Sequence, residues 1–265
     1  MNARIDLSIL SERPQATDMP RARVFNAYLQ ETRSEVVRYL RNPGFMLPML
    51  AFSTVFYAMF GIVLNHGNPG AERYLLASYA TFGVIGPGLF GFGVSLGAER
   101  ENGLLTLKRA LPMPPLAYLL GKMAMAMLMA GIVMTVLLSL GLFVARVPLS
   151  ASQVVAMLAT GVFGVLPFCA LGLLVGTLVK GQAAPGMVNL VYLPMAFLSG
   201  LWMPLSMLPK VLGQVAPVWP SWHLNALMQA AAGMQHGGVA THLLALAGFT
   251  AAFLLPAARR LRRHG

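Results

Sequence analysis

The chain has 265 residues, of which 57% are hydrophobic and only 10% are charged, and its net charge is +11. Soluble domains have a charged fraction near about a quarter, so this composition excludes an ordinary soluble protein and indicates a polytopic α-helical membrane protein. The basic excess forms no dense basic face, which argues against nucleic acid as a partner, and the single Cys169 excludes an intramolecular disulfide.

The N-terminal segment divides into a tail and an amphipathic helix. Residues 1–20 contain scattered charges, two prolines and no apolar stretch typical of a cleavable signal, which predicts a flexible tail. Over residues 21–44 apolar side chains recur at helical spacing until Asn42-Pro43-Gly44 ends the run. This pattern predicts an amphipathic helix in the membrane interface, with a solvated helix packed on the protein as the alternative.

A transmembrane domain is predicted from residue 45 to 258. It contains six apolar segments that can cross a hydrocarbon core about 30 Å thick. The expected spans are about 45–64, 74–98, 117–144, 154–179, 184–201 and 239–256. Residues 259–265 follow as a basic tail. The predicted fold is therefore an all-α integral membrane domain with six transmembrane helices and an N-terminal interfacial helix.

Small residues and proline interrupt two of these spans. Gly93 and Gly97 in the second span, like Gly172 and Gly176 in the fourth, are spaced so that another helix can approach closely. Pro87 frees a backbone carbonyl in the second span. Plain helix packing and a bent helix that lines a substrate path are both compatible with this pattern.

The segment between the fifth and sixth spans is apolar but broken by four prolines, and it holds all three tryptophans, Trp202, Trp219 and Trp222. Backbone groups freed by proline cannot face lipid, and tryptophan prefers the membrane interface. The pattern predicts short re-entrant helices at the outer face, with Trp219 and Trp222 as interfacial anchors.

Basic residues are distributed unevenly over this topology. Sixteen of the nineteen lysines and arginines fall in the N-terminal segment, the 99–122 loop, the turn at Lys180 and the C-terminal tail, whereas Arg73, Arg146 and Lys210 fall on the other side. By the positive-inside rule, both termini and the 99–122 loop are expected to be cytoplasmic.

The sequence lacks groups that other membrane functions need. No Asp or Glu lies in a predicted span, which disfavours an ion-coupled secondary transporter, and no GxxxxGK[ST] motif is present to bind ATP. His223, His236 and His242 have no HExxH, CxxC or carboxylate partner, so we predict no catalytic residue and no metal site, and expect these imidazoles to be solvated at the interface. An ion-coupled transporter and a membrane-embedded enzyme remain as alternatives.

The loop between the second and third spans carries the most specific motif. It contains Glu99-Arg100-Glu101-Asn102-Gly103, then Leu105, Pro112 and Gly121-Lys122. This order resembles the ERExGTL…P…GK signature of the permease subunits of type-2 ABC exporters, with Leu104 at the usual threonine. The entry helix that ends at Arg41-Asn42-Pro43 and the LSGLWMP segment at 198–204 resemble the same family, so the resemblance covers residues 21–260.

The resemblance implies a permease subunit that binds no cofactor itself. A separate nucleotide-binding ATPase subunit would bind ATP and Mg, and a second permease, identical or different, would complete the translocation path, lined by the second and fifth spans. The implied location is the bacterial cytoplasmic (inner) membrane, among membrane lipids. The candidate pathway or gate residues are Phe82, Pro87, Phe90, Asn189, Leu198 and Trp202.

The 99–122 loop suits contact with such an ATPase. Its leucines can fill a cleft on the partner, while its charged residues can pair at the rim of that cleft. The candidate ATPase-coupling residues are Glu99, Arg100, Glu101, Gly103, Leu104, Leu105, Leu107, Arg109 and Pro112. Gly103 allows a sharp turn after the second span.

The predicted topology also bears on the substrate. The first external loop is only about ten residues long and no external domain is expected, which favours direct export of an amphipathic or hydrophobic small molecule, such as an antibiotic or a lipid-like compound. Export of a glycan or lipid-linked saccharide by the same architecture is the alternative.

Overall fold

The computed structural model describes residues 20–65, 67–104, 107–108, 115–234 and 237–264, and over these ranges it contains helices and no strand. The described α-helices are α1 Arg21–Leu40, α2 Pro43–Phe56, α3 Pro69–Glu101, α4 Pro115–Ser139, α5 Ala151–Gly164, α6 Leu166–Leu178, α7 Ala184–Leu198, α8 Lys210–Val215, α9 Pro220–Ala231 and α10 Val239–His264. The π-helical segments Tyr57–Val63 and Leu140–Val144 extend α2 and α4, and 3₁₀ turns lie at Gly181–Ala183, Leu205–Met207 and Ala216–Val218.

Several helix ends follow directly from local sequence. The Asn68 side chain accepts a hydrogen bond from the backbone N–H of Ala71 and caps the start of α3. Ser150 and Gln153 form a reciprocal capping box at the start of α5. Gly103 and Gly200 adopt φ angles of 69° and 73° just after α3 and α7, a conformation that glycine adopts without the steric cost other residues pay.

Helix α3 is the central element of the bundle. It packs against α2, α4, α6, α7 and α9, and 94% of its most apolar stretch is buried, compared with 11% for the peripheral Val239–Arg260. Its 33 residues span about 50 Å at 1.5 Å per residue. We call the end of the bundle at Glu99–Gly103 the loop end, and the end at Arg73 and Tyr74 the far end.

The close contact between α3 and α6 depends on glycine. A Cβ atom on Gly172 would lie 2.7 Å from the Leu89 carbonyl oxygen, and one on Gly176 would lie 2.9 Å from the Gly93 carbonyl oxygen. The expectation that these small residues allow close helix packing is confirmed. Since Gly88 faces Cys169 and Gly97 faces Gly181, the two helices run in the same direction.

Four helical stretches are long and apolar enough to cross a membrane: Pro69–Glu101, Leu116–Val144, Ala151–Leu178 and Val239–Arg260. They correspond to the predicted second, third, fourth and sixth spans. The predicted first span contains the shorter apolar helix Leu50–Val63, and the predicted fifth is the 15-residue α7. The fourth span is divided into the two helices α5 and α6, because Pro167 in the first turn of α6 has no backbone N–H to donate.

Two boundaries differ from the prediction. The last helix continues to His264, through most of the predicted basic tail. The proline-broken segment forms the short α8 and two 3₁₀ turns, but Pro220–Ala231 forms the 12-residue α9, which packs on α3, α5 and α10 with most of its side chains buried. Trp222 therefore lies in a helix that belongs to the core.

Candidate functional site

A buried cluster of charged side chains lies at the loop end of the bundle. At its centre is Lys122 of α4, which has no exposed surface. Its Nζ donates hydrogen bonds to Ser95 Oγ at 2.7 Å, Glu99 Oε1 at 2.8 Å and Glu35 Oε2 at 3.1 Å. An ammonium group has three N–H donors, so this buried cation is fully satisfied.

Glu99 links the central helix α3 to two neighbours. Its carboxylate accepts a hydrogen bond from the Tyr118 hydroxyl of α4 at 2.6 Å. It also forms an ion pair with Arg38 of α1, whose Nη1 lies 2.5 Å from Oε1. Arg38 also pairs with Glu35 at 2.7 Å. Helices α1, α3 and α4 are thus joined through one network of charge-assisted hydrogen bonds.

Lys108 extends this network into the loop between α3 and α4. Its ammonium pairs with Glu31 and, at 3.2 Å, with Glu35. Burial lowers the pKa of Lys108, but its bonds to Glu31 and Glu35 outweigh that effect and raise the pKa above the ordinary lysine value. The group therefore stays charged at neutral pH. We call Glu31, Glu35, Arg38, Glu99, Lys108 and Lys122 the charge cluster; its three cations balance its three anions.

The first residues of the predicted coupling loop are held by the protein itself. Arg100 donates to the carbonyl oxygens of Gly176 and Thr177 at the end of α6, at 3.1 and 2.9 Å. Glu101 accepts from the backbone N–H of Gln182 at 3.1 Å. Glu99 is 4% exposed. Both side chains therefore bond within the chain in this structure, and their pairing at the rim of a partner stays a prediction.

Two leucines of that loop lie within the described residues and differ in exposure. Leu107 is 63% exposed, whereas Leu104 is half-buried and lines a cavity of about 380 Å³ between α1, α3 and α4, together with Arg38, Ser95 and Asn102. Leu105, Arg109 and Pro112 lie outside the described residues. The ATPase-coupling role of the whole set stays a prediction.

The candidate pathway residues are brought together only in part. Phe82 stacks on Tyr192 of α7 with ring centroids 4.7 Å apart, and the Tyr192 hydroxyl donates to the Phe82 carbonyl at 2.8 Å. Phe90 meets Tyr192 edge-on at 5.7 Å, and Trp202 meets Phe82 at 6.1 Å. Phe82 and Pro87 are buried inside the bundle.

Exposure separates the remaining candidates on α7. Asn189 is exposed on the outer surface of α7, whereas Leu198 is half-buried. The open surface near these candidates is therefore formed by α7 rather than by the central α3.

Two histidines pack against each other at the far end. His223 and His242 are each 8% exposed, their Nδ1 atoms lie 3.0 Å apart, and His223 Nε2 lies 3.0 Å from the Pro217 carbonyl oxygen. The expectation that these imidazoles are solvated is wrong for both, because α9 and α10 pack them together; His236 lies outside the described residues.

The tryptophans predicted as anchors are half-buried at this end. Trp222 packs against both imidazole rings, with ring centroids 4.9 and 5.2 Å apart, and Trp219 packs against the main hydrophobic core. Asn225, Gln229, Ser206 and His242 help to line a cavity of about 420 Å³. Among the described residues, no group of three or more His, Cys, Asp or Glu side chains could hold a metal ion.

Sequence reasoning missed the centre of the charge cluster. The loop motif contains Lys122, but the predicted site residues do not include it. They also do not include its neighbours in the structure, Glu35, Arg38, Ser95 and Tyr118. A signal was present, since Lys122 is the one charged residue in the predicted span 117–144. A lysine inside an apolar span needs an anionic partner, which narrows the search to the few carboxylates at that end.

Most of the chain is similar in sequence to known proteins. Residues 59–259 match the family described as ABC-2 family transporter protein. A relative in Bacillus subtilis (strain 168), named "Putative transport permease YvfS", is 29% identical over 204 residues, which is 76% of this chain and 83% of that protein. The family match extends from the end of α2 to α10 and includes Glu99 and Lys122 of the charge cluster. The chain therefore belongs to the ABC-2 transporter family, as a permease of the ABC-2 type.

Proposed function

We propose that this permease is the membrane subunit of an ATP-driven exporter and is powered by a separate nucleotide-binding ATPase subunit that binds ATP and Mg. The ABC-2 family implies an ABC transporter with an ATPase partner. The observation that carries the proposal is the attachment of Lys108, in the segment that follows α3, to Glu31 and Glu35 of α1. Arg100, near the end of α3, also bonds to the end of α6.

This attachment suits the transmission of force. A partner that pushes on the loop pushes on α1, α3 and α4 together, because Lys122 of α4 forms buried charge-assisted bonds to Glu35 of α1 and Glu99 of α3. The exposed side chain of Leu107 supplies an apolar contact of the kind that anchors protein interfaces. The central α3 then carries the displacement to the far end.

The proposed topology has six spans. The four long helices are joined by α2 with its π-helical extension and by α7, and the short helices between α7 and α10 are re-entrant at the outer face. Sixteen basic residues against three support a cytoplasmic loop end with both termini, including the tail before α1, in the bacterial inner membrane. In this placement α1 lies in the cytoplasmic interface.

The proposed translocation path runs between two permease subunits along α7. An exposed carboxamide on a membrane-spanning helix is costly against lipid, because its hydrogen-bonding groups find no partner there. Asn189 is such a group, and it lies beside the exposed Leu190 and Leu193. Its exposure supports contact of this face with a second permease or with water in the path.

The proposed substrate is an amphipathic or hydrophobic small molecule. The α7 surface supports this class, because apolar side chains surround the single carboxamide. A saccharide-containing substrate is the second candidate. It is favoured by the uncharged polar lining of the 420 Å³ cavity at the far end, where Ser206, Asn225 and Gln229 could bind hydroxyl groups.

The experiment that tests the ATPase contact is co-purification of the permease with the proposed nucleotide-binding ATPase from cells that express both. We expect Leu107→Asp to reduce ATPase recovery about tenfold or more, because a charge in a desolvated apolar contact is strongly unfavourable. Met207→Asp is the matched control, since Met207 is 76% exposed at the far end. Equal ATPase recovery with both variants, at wild-type coupled ATP turnover, would contradict the proposal.

A further inference from the structure

Helix α1 presents three different surfaces. One packs on α4 and contains the buried Glu35 and Tyr39. A second is an exposed apolar stripe of Phe25, Leu29 and Leu40, which are 68%, 55% and 45% exposed. Positions 25 and 29 are one turn apart and position 40 lies about three turns further, so the three share one side of the helix. The third surface is polar and carries the exposed Arg23 and Arg41, whereas the exposed Arg33 lies one turn after Leu29 at the edge of the apolar stripe.

The charge cluster changes the charge that α1 presents outward. The two carboxylates of the helix, Glu31 and Glu35, face the protein and are neutralised by Lys108 and Lys122 from other elements. Their side chains are only 11% and 2% exposed. Arg23, Arg33 and Arg41 are exposed, and of the described ion pairs none involves them. The outward surface of α1 is therefore cationic, although the helix sequence contains acids.

We propose that this surface binds the headgroups of anionic phospholipids in the leaflet that contacts α1. The apolar stripe would lie among the acyl chains, and the neighbouring arginines would reach the phosphate-bearing headgroups beside it. An arginine guanidinium suits this ligand because it binds phosphate oxygens with two parallel hydrogen bonds. The proposal rests on the interfacial placement of α1 in the proposed function and adds the lipid class that this helix selects.

The expected selectivity can be estimated from surface electrostatics. Each exposed arginine near an anionic leaflet strengthens binding by about fivefold. Arg23 and Arg33 flank the exposed Phe25 and Leu29 along the helix. Anionic lipid should therefore be enriched about fivefold or more over zwitterionic lipid beside these residues.

The test uses the full chain in bilayers of phosphatidylcholine and phosphatidylglycerol. Asn26 is exposed next to the apolar stripe, and an Asn26→Cys variant can carry a fluorophore because the native Cys169 is buried. Nitroxide-labelled phosphatidylglycerol should quench this fluorophore at about fivefold lower mole fraction than nitroxide-labelled phosphatidylcholine. In the Arg23→Gln/Arg33→Gln background the preference should fall about threefold or more.

The matched control is Arg259→Gln/Arg260→Gln, which removes two exposed arginines from α10 and should leave the preference unchanged. Equal quenching by the two lipids in the parent protein would overturn lipid selectivity while retaining the interfacial placement. Absence of quenching by either lipid would overturn that placement as well. A preference that survives the Arg23 and Arg33 substitutions, or that the control lowers equally, would also overturn the proposal.

Discussion

The burial of the charged Lys122 side chain is energetically unfavourable unless other groups at the loop end compensate its charge. A buried, uncompensated ammonium group costs several kcal/mol in an apolar environment. The protein offsets that cost with three acceptors around Nζ, two of them carboxylates that are themselves buried. Each member of this network therefore depends on the others, and the most damaging change is the loss of one partner.

We expect Lys122→Met to destabilise the protein by about 3–5 kcal/mol, because Glu35 and Glu99 then lose a buried counter-ion. The change should also loosen α1, since this helix is held through Glu35. Thermal unfolding in detergent measures the first effect, and the rate of tryptic cleavage at Arg23 and Arg33 measures the second.

Two further variants make this experiment decisive. Lys210→Met removes an exposed lysine at the far end and should change neither measurement. Adding Glu99→Gln to Lys122→Met should recover part of the lost stability, because the charge cluster then again contains as many cations as anions. Wild-type unfolding and wild-type cleavage in Lys122→Met would contradict a structural role for the charge cluster.

The cluster also shows where sequence reasoning reached its limit at this scale. The loop motif contains both Glu99 and Lys122, but it could not show that α1 folds back to supply Glu35. The apolar periodicity of α1 predicted an amphipathic helix, and periodicity treats a glutamate on the packed face like any other polar residue. Only the tertiary contact of α1 with α4 distinguishes a buried carboxylate from a solvated one.

The element that organises the bundle is the pair formed by α3 and α6. Carbonyl oxygens of α3 approach Gly172 and Gly176 so closely that a methyl group fits at neither position. Because Arg100 of α3 bonds to the end of α6, we expect these two helices to move together when the loop moves.

We expect Gly172→Ala to destabilise the protein by about 1–3 kcal/mol, because the added Cβ would lie 2.7 Å from a backbone oxygen of α3 and the helices would have to separate. Gly248→Ala in α10 is the control, since nothing lies within 4 Å of a Cβ at that position. It should be neutral or stabilising by up to about 1 kcal/mol. Chemical denaturation measures both effects. Equal free energies of unfolding for the two variants would show that the contact between α3 and α6 is not tight in the membrane.

The glycine spacing predicts a close helix contact at each of these two helices, but it does not show that they contact each other, and no such spacing predicts α9. The glycines stand four residues apart, a local signal that survives any tertiary context. The start of α9 is instead predicted to be interfacial, because prolines and tryptophans mark this segment, and α9 also contains the polar residues Ser221, His223 and Asn225. In the structure these side chains lie within hydrogen-bonding distance of Ser199, His242 and Thr81. Partners that distant in sequence cannot be inferred from the segment itself.

The molecule as a whole presents two kinds of surface to its surroundings. Helix α10 is peripheral and exposes apolar side chains such as Leu243 and Leu244, which are 55% and 72% exposed. Lipid covers such a surface without cost. Helix α7 exposes Leu190 together with the carboxamide of Asn189, which lipid cannot satisfy. The two faces should therefore have different neighbours in the assembled transporter.

We expect a second permease to face α7, so that Asn189→Cys in the Cys169→Ser background is cross-linked to a covalent dimer by a short bifunctional thiol reagent. Leu244→Cys is the matched control, because it presents an exposed thiol on the face assigned to lipid. The dimer fraction, measured by gel after treatment of intact membranes, should be about tenfold higher for Asn189→Cys. Because both thiols are exposed in the monomer, their reactivity toward a monofunctional reagent corrects for accessibility. Cross-linking at Leu244→Cys alone, or equally at both positions, would assign the second subunit to another face and remove α7 from the path.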